Sequence, residues 1–186
     1  MSEHICPLWV GYLLVSRVRK LLQNPEKILS PYVSEGMTVL DIGCAMGFFS
    51  LPLGRMVGQS GKVICVDMQE KMVASLEKRA RKAGVSDRIE TRLCSQDSLS
   101  LNDFTEKIDF ALAFAVVHEV PDASVFFSQV RETLKPGGTL LMAEPKGHVS
   151  EKAFETTISV AEQNGFKRGG SPWTATYSRV ILLGKT

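Results

Sequence analysis

Cysteine is scarce in this chain of 186 residues: there are four, at Cys6, Cys44, Cys65 and Cys94. No two of them form a C-x-x-C pair, which excludes the spacing of a structural zinc site and of a thioredoxin-type redox motif. Reduced thiols of this kind fit a cytoplasmic protein. Charge of one sign is equally thin. Lys and Arg number 22 against 20 Asp and Glu, no run of five like charges occurs, and the basic stripe of a dedicated nucleic-acid binder is missing. The longest apolar run, Ile5 to Val15, is too short to span a bilayer, follows Glu3 instead of a basic segment and precedes no A-x-A cleavage pattern. Neither a membrane span nor a targeting peptide is expected. Internal repeats and low-complexity stretches are absent as well.

What the chain does have is the composition of an ordinary folded domain, 44% hydrophobic and 23% charged, at a length that suits one domain. Residues 1–35 read as a helical cap preceding a core over 36–186. In the cap, Val10, Leu13, Leu14, Val18, Leu21 and Leu22 recur at helical steps, leaving Arg17, Arg19 and Lys20 for solvent. Asn24 before Pro25 predicts an N-cap with proline at the first helical position, and Pro31 closes that short helix. From Thr38 onward, short apolar runs alternate with longer amphipathic stretches. Val39 to Ile42, Val63 to Val66, Ile89 to Leu93, Ile108 to Ala115 and Thr139 to Ala143 are strand candidates. Between them Met72, Val73, Leu76, Ala80 and Ala83 form one helical stripe, Ser124 to Leu134 a second helix stopped by Pro136 and Gly137, and Glu151 to Asn164 a third ended by Gly165. Thr174 to Tyr177 and Arg179 to Leu183 have no helix between them, so the last strand should be antiparallel. The expected fold is α/β, a Rossmann-like, mostly parallel seven-stranded sheet with helices on both faces and an antiparallel last strand.

The sharpest local signal is VLDIGCAMGFFS, a strand ending near Asp41 that turns through Gly43 and Gly47 into a helix expected to begin near Phe48. Such a turn lets backbone approach a ligand and points free N–H groups at it. A dinucleotide fingerprint needs G-x-G-x-x-G, but counting from Gly43 places Ala45 and Phe48 at the second and third glycines. Asp41 beside the loop repels a pyrophosphate and attracts a cation. The next strand ends at Asp67, where an acid accepts both ribose hydroxyls of an adenosine, with Met68 beside it to pack on the base. The plainer reading is that the glycines only shape a turn and Asp67 caps the following helix.

On these residues the chain resembles the class I S-adenosylmethionine-dependent methyltransferases, in particular the small-molecule branch that includes ubiquinone and menaquinone biosynthesis enzymes. The resemblance runs from about Gly36 to Thr186. Asp41, Gly43 and Gly47 match the acidic glycine-rich first motif, with Ala45 where a middle glycine usually stands, and Asp67 matches the ribose acid. Ser95, Gln96, Asp97 and Ser98 follow the third strand where the family contacts adenine, Asp97 accepting from the exocyclic amine. Ile108-Asp109-Phe110 matches the entry to strand four, and Leu134-Lys135-Pro136-Gly137-Gly138 the turn before strand five. The resemblance therefore implies S-adenosylmethionine as cofactor, with S-adenosylhomocysteine as product. The residues expected to hold it are Asp41, Gly43, Cys44, Ala45, Gly47, Asp67, Met68, Ser95, Gln96, Asp97 and Ala113. By the same resemblance the amino-terminal segment covers the acceptor as a lid contributing Trp9 and Tyr12; the alternative is a helix packed on the flank of the sheet.

A sulfonium methyl is already activated, so the chemistry asks for an aligned nucleophile and exclusion of water, and for a base only if the nucleophile arrives protonated. Candidates stand at the carboxyl ends of strands four and five, where open α/β sheets bind ligands. His118 and Glu144 are the expected catalytic residues, with Glu119 and His148 behind them; a packed histidine and a capping carboxylate are the plainer readings. Ala113-Phe114-Ala115-Val116 replaces the N/D-P-P-aromatic tetrapeptide of adenine and cytosine amino methyltransferases. The alanines cannot ligate a metal as catechol-type enzymes require, which leaves metal-free transfer to a small molecule. Metalloid chemistry at Cys6 and Cys44 is the weaker reading, because Cys65 and Cys94 lie in strand runs as small buried hydrophobes. Two other classes stay open at this point, a non-catalytic S-adenosylmethionine-binding module and a nicotinamide-dependent oxidoreductase.

Overall fold

Alternation of short β-branched runs with amphipathic stretches produces alternating strands and helices, as seen in the computed structural model of the chain, which describes residues 23–170 and 177–186. The predicted helical stretch before residue 23, including Trp9 and Tyr12, lies outside the described residues. Two compact units divide the chain, Met1–Leu93 and Cys94–Thr186.

The first unit opens with α1 (Pro25–Leu29), whose cap is the one expected: the Asn24 side chain accepts from the Glu26 and Lys27 N–H groups at 3.0 and 3.3 Å. Three parallel strands follow, β1 (Thr38–Ile42), β2 (Lys62–Asp67) and β3 (Ile89–Leu93), in the order β3-β2-β1, with Asp41 level with Cys65 and Asp67 level with Leu93. Parallel strands buried on both faces need continuous apolar runs. Val39, Leu40, Val63, Ile64, Cys65 and Val66 are wholly buried. The crossovers are α2 (Ser50–Met56) and α3 (Glu70–Ala83). α3 buries Met72, Val73, Leu76 and Ala80 and ends at Gly84 in the left-handed conformation that glycine tolerates, at φ +67°.

The second unit holds β4 (Ile108–Phe114), β5 (Leu134–Pro145), β6 (Phe166–Arg168) and β7 (Ser178–Lys185) in the order β4-β5-β7-β6. β4 and β5 are parallel; β7 runs antiparallel to both β5 and β6, so the antiparallel last strand is present. α4 (Ala123–Thr133) is capped by Asp122, whose carboxylate accepts from the Ser124 and Val125 N–H groups, and α5 (Glu151–Gln163) by Ser150. The seven strands, mostly parallel with helices around them, make up the expected Rossmann-like α/β class.

Three local expectations need correction. α2 begins at Ser50, not near Phe48, because residues 45–49 form turns. The Leu134-Lys135-Pro136-Gly137-Gly138 segment is not a separate turn before strand five. It is the start of β5, accommodated by a register shift in which Ile108 pairs with Leu134 but Phe110 with Thr139. β6 was not expected, being only three residues long. The strand expected over Thr174 to Tyr177 falls mostly outside the described residues.

Candidate functional site

In the first unit, the loop leaving β1 is shaped by backbone that most side chains avoid: φ is +70° at Gly43, +46° at Ala45 and +85° at Gly47. The N–H groups of Gly43 and Cys44 both donate to the Val66 carbonyl, at 2.9 and 3.1 Å, which ties the loop to the end of β2. Asp67 completes the tie. Its Oδ2 accepts from the Ala45 N–H and its Oδ1 from the Gln69 N–H, each at 2.9 Å. Burial pushes the Asp67 carboxyl up, while N–H groups from Gln69, Ala45 and Met68 pull it back. A carboxylate has about four lone-pair sites, so the three N–H groups leave room for a further donor. A ribose hydroxyl can use it, and Met68, 39% exposed beside it, offers an apolar face. The residues present therefore fit an adenosine.

Asp41 is placed differently from its expected role. Its side chain is enclosed at 2% exposure, and its Oδ2 accepts from the Ser50 hydroxyl at 2.5 Å. Burial, opposed by the Ser50 bond and reinforced by the Asp67 charge, pushes its pKa to about 7. Near neutrality only part of the population carries the charge that was to attract a cation, and no open face presents it. Gly47 is also required for a reason other than ligand approach: a Cβ there would run into Leu76 Cδ1 of α3. The neighbouring Met46 carbonyl accepts from the Arg79 guanidinium, so α3 braces the loop twice. Cys44 is buried, and a bond with Cys65 together with that burial holds its thiol well above the usual range, which suppresses thiolate chemistry.

In the second unit, Ser95, Gln96 and Asp97 lie exposed after β3, in a turn closed by the Ser95 N–H donating to the Ser98 carbonyl at 2.9 Å. Ala113 is wholly buried inside β4 opposite Met142 and presents no surface to a ligand, contrary to expectation.

The ends of β4 and β5 bring the two expected catalytic residues together. Glu144, 2% exposed near the end of β5, accepts from the Val117 N–H at 2.8 Å through Oε1 and from His118 Nδ1 through Oε2. The first bond anchors the 3₁₀ turn Val117–Glu119 that presents the histidine. The second fixes the ring and its tautomer: with the proton on Nδ1, the Nε2 lone pair is left to accept. His118 is 22% exposed at its side chain, Glu119 lies 4.0 Å from Nε2, and the His148 ring stands edge-on with its centroid 5.7 Å away. The Glu144 bond, then the charges of Glu144 and Glu119, raise the His118 pKa against the opposing effect of burial. A buried carboxylate holding an imidazole whose second nitrogen is open is the arrangement of a general base. Ser50 and Arg79 carried no sequence signal, because neither stands in a motif and both are found only through their partners Asp41 and Met46.

A family profile described as a methyltransferase domain matches residues 33–176. A ubiquinone biosynthesis O-methyltransferase of Bradyrhizobium diazoefficiens is 32% identical over 92% of this chain and 63% of its own length. One of Paramagnetospirillum magneticum is 35% identical over 63% of this chain and 43% of its own. The chain thus spans less than two thirds of these curated relatives. The crystal structure of a SAM-dependent methyltransferase from Aquifex aeolicus superposes with a TM-score of 0.86 at 25% identity, covering 98% of this chain and 100% of that one.

Proposed function

The chain belongs to the methyltransferase-domain family, and on that premise we propose that it transfers a methyl group from S-adenosylmethionine to a hydroxyl oxygen of a small molecule, with His118 as the general base. The observation that carries the reading is the buried Glu144 carboxylate bonded to His118. A hydroxyl is a poor nucleophile until its proton leaves, and this pair can take that proton in place. S-adenosylmethionine, when bound, supplies an electrophilic methyl group on a sulfonium sulfur. Asp67 receives a ribose hydroxyl on its remaining lone-pair capacity and Met68 lies along the adenine; the Gly43–Gly47 loop offers the methionyl end a close backbone surface and not the free N–H groups expected of it, since those of Gly43, Cys44, Ala45 and Gly47 donate to Val66, Asp67 and Cys44. His118 Nε2 accepts the acceptor's hydroxyl proton as the oxygen attacks, and Glu144 stabilises the resulting imidazolium.

Oxygen is favoured over nitrogen or sulfur because an amine or a thiolate needs no base held this firmly, and the named relatives methylate oxygen. Incubation with methyl-labelled S-adenosylmethionine and a panel of phenols, amines and thiols tests the reading. Label should move to phenolic oxygen and not to the other two. Binding of the cofactor with no transfer to any hydroxyl compound would leave a binding module in place of an enzyme.

A further inference from the structure

The turn after β3 is held by a side chain that no motif marks. Gln129, on the second turn of α4, reaches across to it with both ends of its amide. Its Oε1 accepts from the Leu99 N–H at 2.7 Å, and its Nε2 donates to the Asp97 carbonyl at 2.9 Å. The two bonds fall on either side of Ser98, so one rigid planar group fixes the direction of the chain through Asp97 to Leu99. Within the turn, the Ser95 N–H donates to the Ser98 carbonyl at 2.9 Å, and the Ser98 hydroxyl accepts from the Ser100 N–H at 3.1 Å. Ser100 itself takes φ +56°, in the region that favours glycine. The Asp97 side chain is exposed, whereas Leu99 next to the clamp is 8% exposed and packed. An exposed acidic side chain on a short turn ordinarily samples many directions. Here the backbone carrying it is pinned on one side by its own carbonyl and on the other by a buried neighbour.

We infer that Gln129 is a positioning residue for cofactor specificity, which by clamping the Asp97 carbonyl and the Leu99 N–H aims the Asp97 carboxylate at the exocyclic amine of the adenine. This rests on the reading of the chain as an S-adenosylmethionine-dependent enzyme. The carboxylate accepts from an amino group but meets the carbonyl oxygen of a hypoxanthine with repulsion, so the quantity Gln129 governs is discrimination between adenine and hypoxanthine. Overall affinity, to which Asp67 also contributes, is a separate quantity.

Calorimetry with S-adenosylhomocysteine and S-inosylhomocysteine separates the possibilities. The wild-type protein should prefer the adenosyl ligand by about tenfold or more, the size of one charge-assisted hydrogen bond. Gln129→Met keeps the length and removes both clamp bonds, and it should weaken S-adenosylhomocysteine about tenfold while leaving S-inosylhomocysteine within about twofold, so that the preference collapses. Gln129→Glu keeps the acceptor for Leu99 but loses the donor to Asp97, and should fall between. Asp97→Ala should collapse the preference by itself, and adding Gln129→Met to it should cost nothing further, the coupling expected of two residues acting as one. Equal weakening of both ligands in Gln129→Met would mean the residue is merely structural and would overturn the inference, as would a preference that survives in the variant. If Gln129→Met fails to fold, Gln129→Glu and Asp97→Ala still decide. A wild-type protein that binds the two ligands equally overturns the aim assigned to Asp97, and with it the inference, while leaving the methyltransferase reading intact. A wild-type protein that binds neither contradicts the methyltransferase reading itself.

Discussion

On the proposed function, Asp67 is the residue on which cofactor recognition turns. It is held by the Ala45 and Gln69 N–H groups at 2.9 Å, with a third from Met68, and still has room for a further donor. A charge-assisted bond to a ribose hydroxyl is worth about 1.5 to 3 kcal/mol, so Asp67→Ala should weaken S-adenosylhomocysteine binding by about one to two decades in calorimetry. NADH should give no heat in the same cell; submillimolar binding of NADH would favour an oxidoreductase instead. Asp41 makes a prediction of the opposite electrostatic sense. Its folded pKa of about 7 lies above the value of about 3.9 expected in the unfolded chain, so between the two the folded state holds a proton that the unfolded state has released. Stability should therefore fall as pH rises from about 4 to about 7 and level off above, by up to about 4 kcal/mol for three pKa units. Asp41→Asn keeps an acceptor for the Ser50 hydroxyl and removes the titration. Urea unfolding of this variant should show a flatter dependence over that range, and an unchanged slope would assign the proton elsewhere.

At the scale of the element, the glycine loop and its bracing helix show what sequence can and cannot disclose. The Asn24-Pro25 cap, the stripe of α3 and the strand–loop–Asp67 arrangement were legible because their signals lie in adjacent or periodic residues. The start of α2 was not, since Phe48 and Phe49 have helical composition but close a turn instead. β6 was invisible because three residues carry no period, and the strand exists through its pairing with β7. The contact between Gly47 and Leu76 is likewise a tertiary fact, visible only once α3 lies over the loop. Ala45 is the element's anomaly, an alanine at φ +46° where glycine would be at ease. Ala45→Gly relieves a penalty of about 1 to 2 kcal/mol and adds about 0.4 to 1 kcal/mol of unfolded-chain entropy, so the variant should be more stable by about 0.5 to 1 kcal/mol. A lower urea midpoint at unchanged slope would show that the alanine methyl makes contacts worth more than its backbone strain.

At the scale of the whole molecule, the proposed function draws on the glycine loop and Asp67 in the first unit and on Asp97, His118 and Glu144 in the second. His118 and Glu144 each stand near a strand end, which the sequence shows, yet their bond joins residues 26 apart and is legible in neither neighbourhood. Among the described residues, no helix is long and apolar enough to cross a membrane. The curated relatives extend well beyond the length matched here, so the acceptor is decided by chemistry at the bench and not by their names. The claim that ties the molecule together is that Glu144 makes His118 a base. Its most direct test is the pH dependence of methyl transfer from labelled S-adenosylmethionine to a phenolic acceptor, in wild type and in Glu144→Gln. In wild type the rate should rise with pH through an apparent pKa above the ordinary histidine value of about 6.5, because the Glu144 bond raises it. Glu144→Gln still accepts from the Val117 N–H, but its amide donates to His118 Nδ1 and moves the ring proton to Nε2, where it blocks the base. The rate should drop by about two to four decades and the limb should shift to lower pH. A variant that keeps the wild-type rate and the wild-type limb would contradict the account.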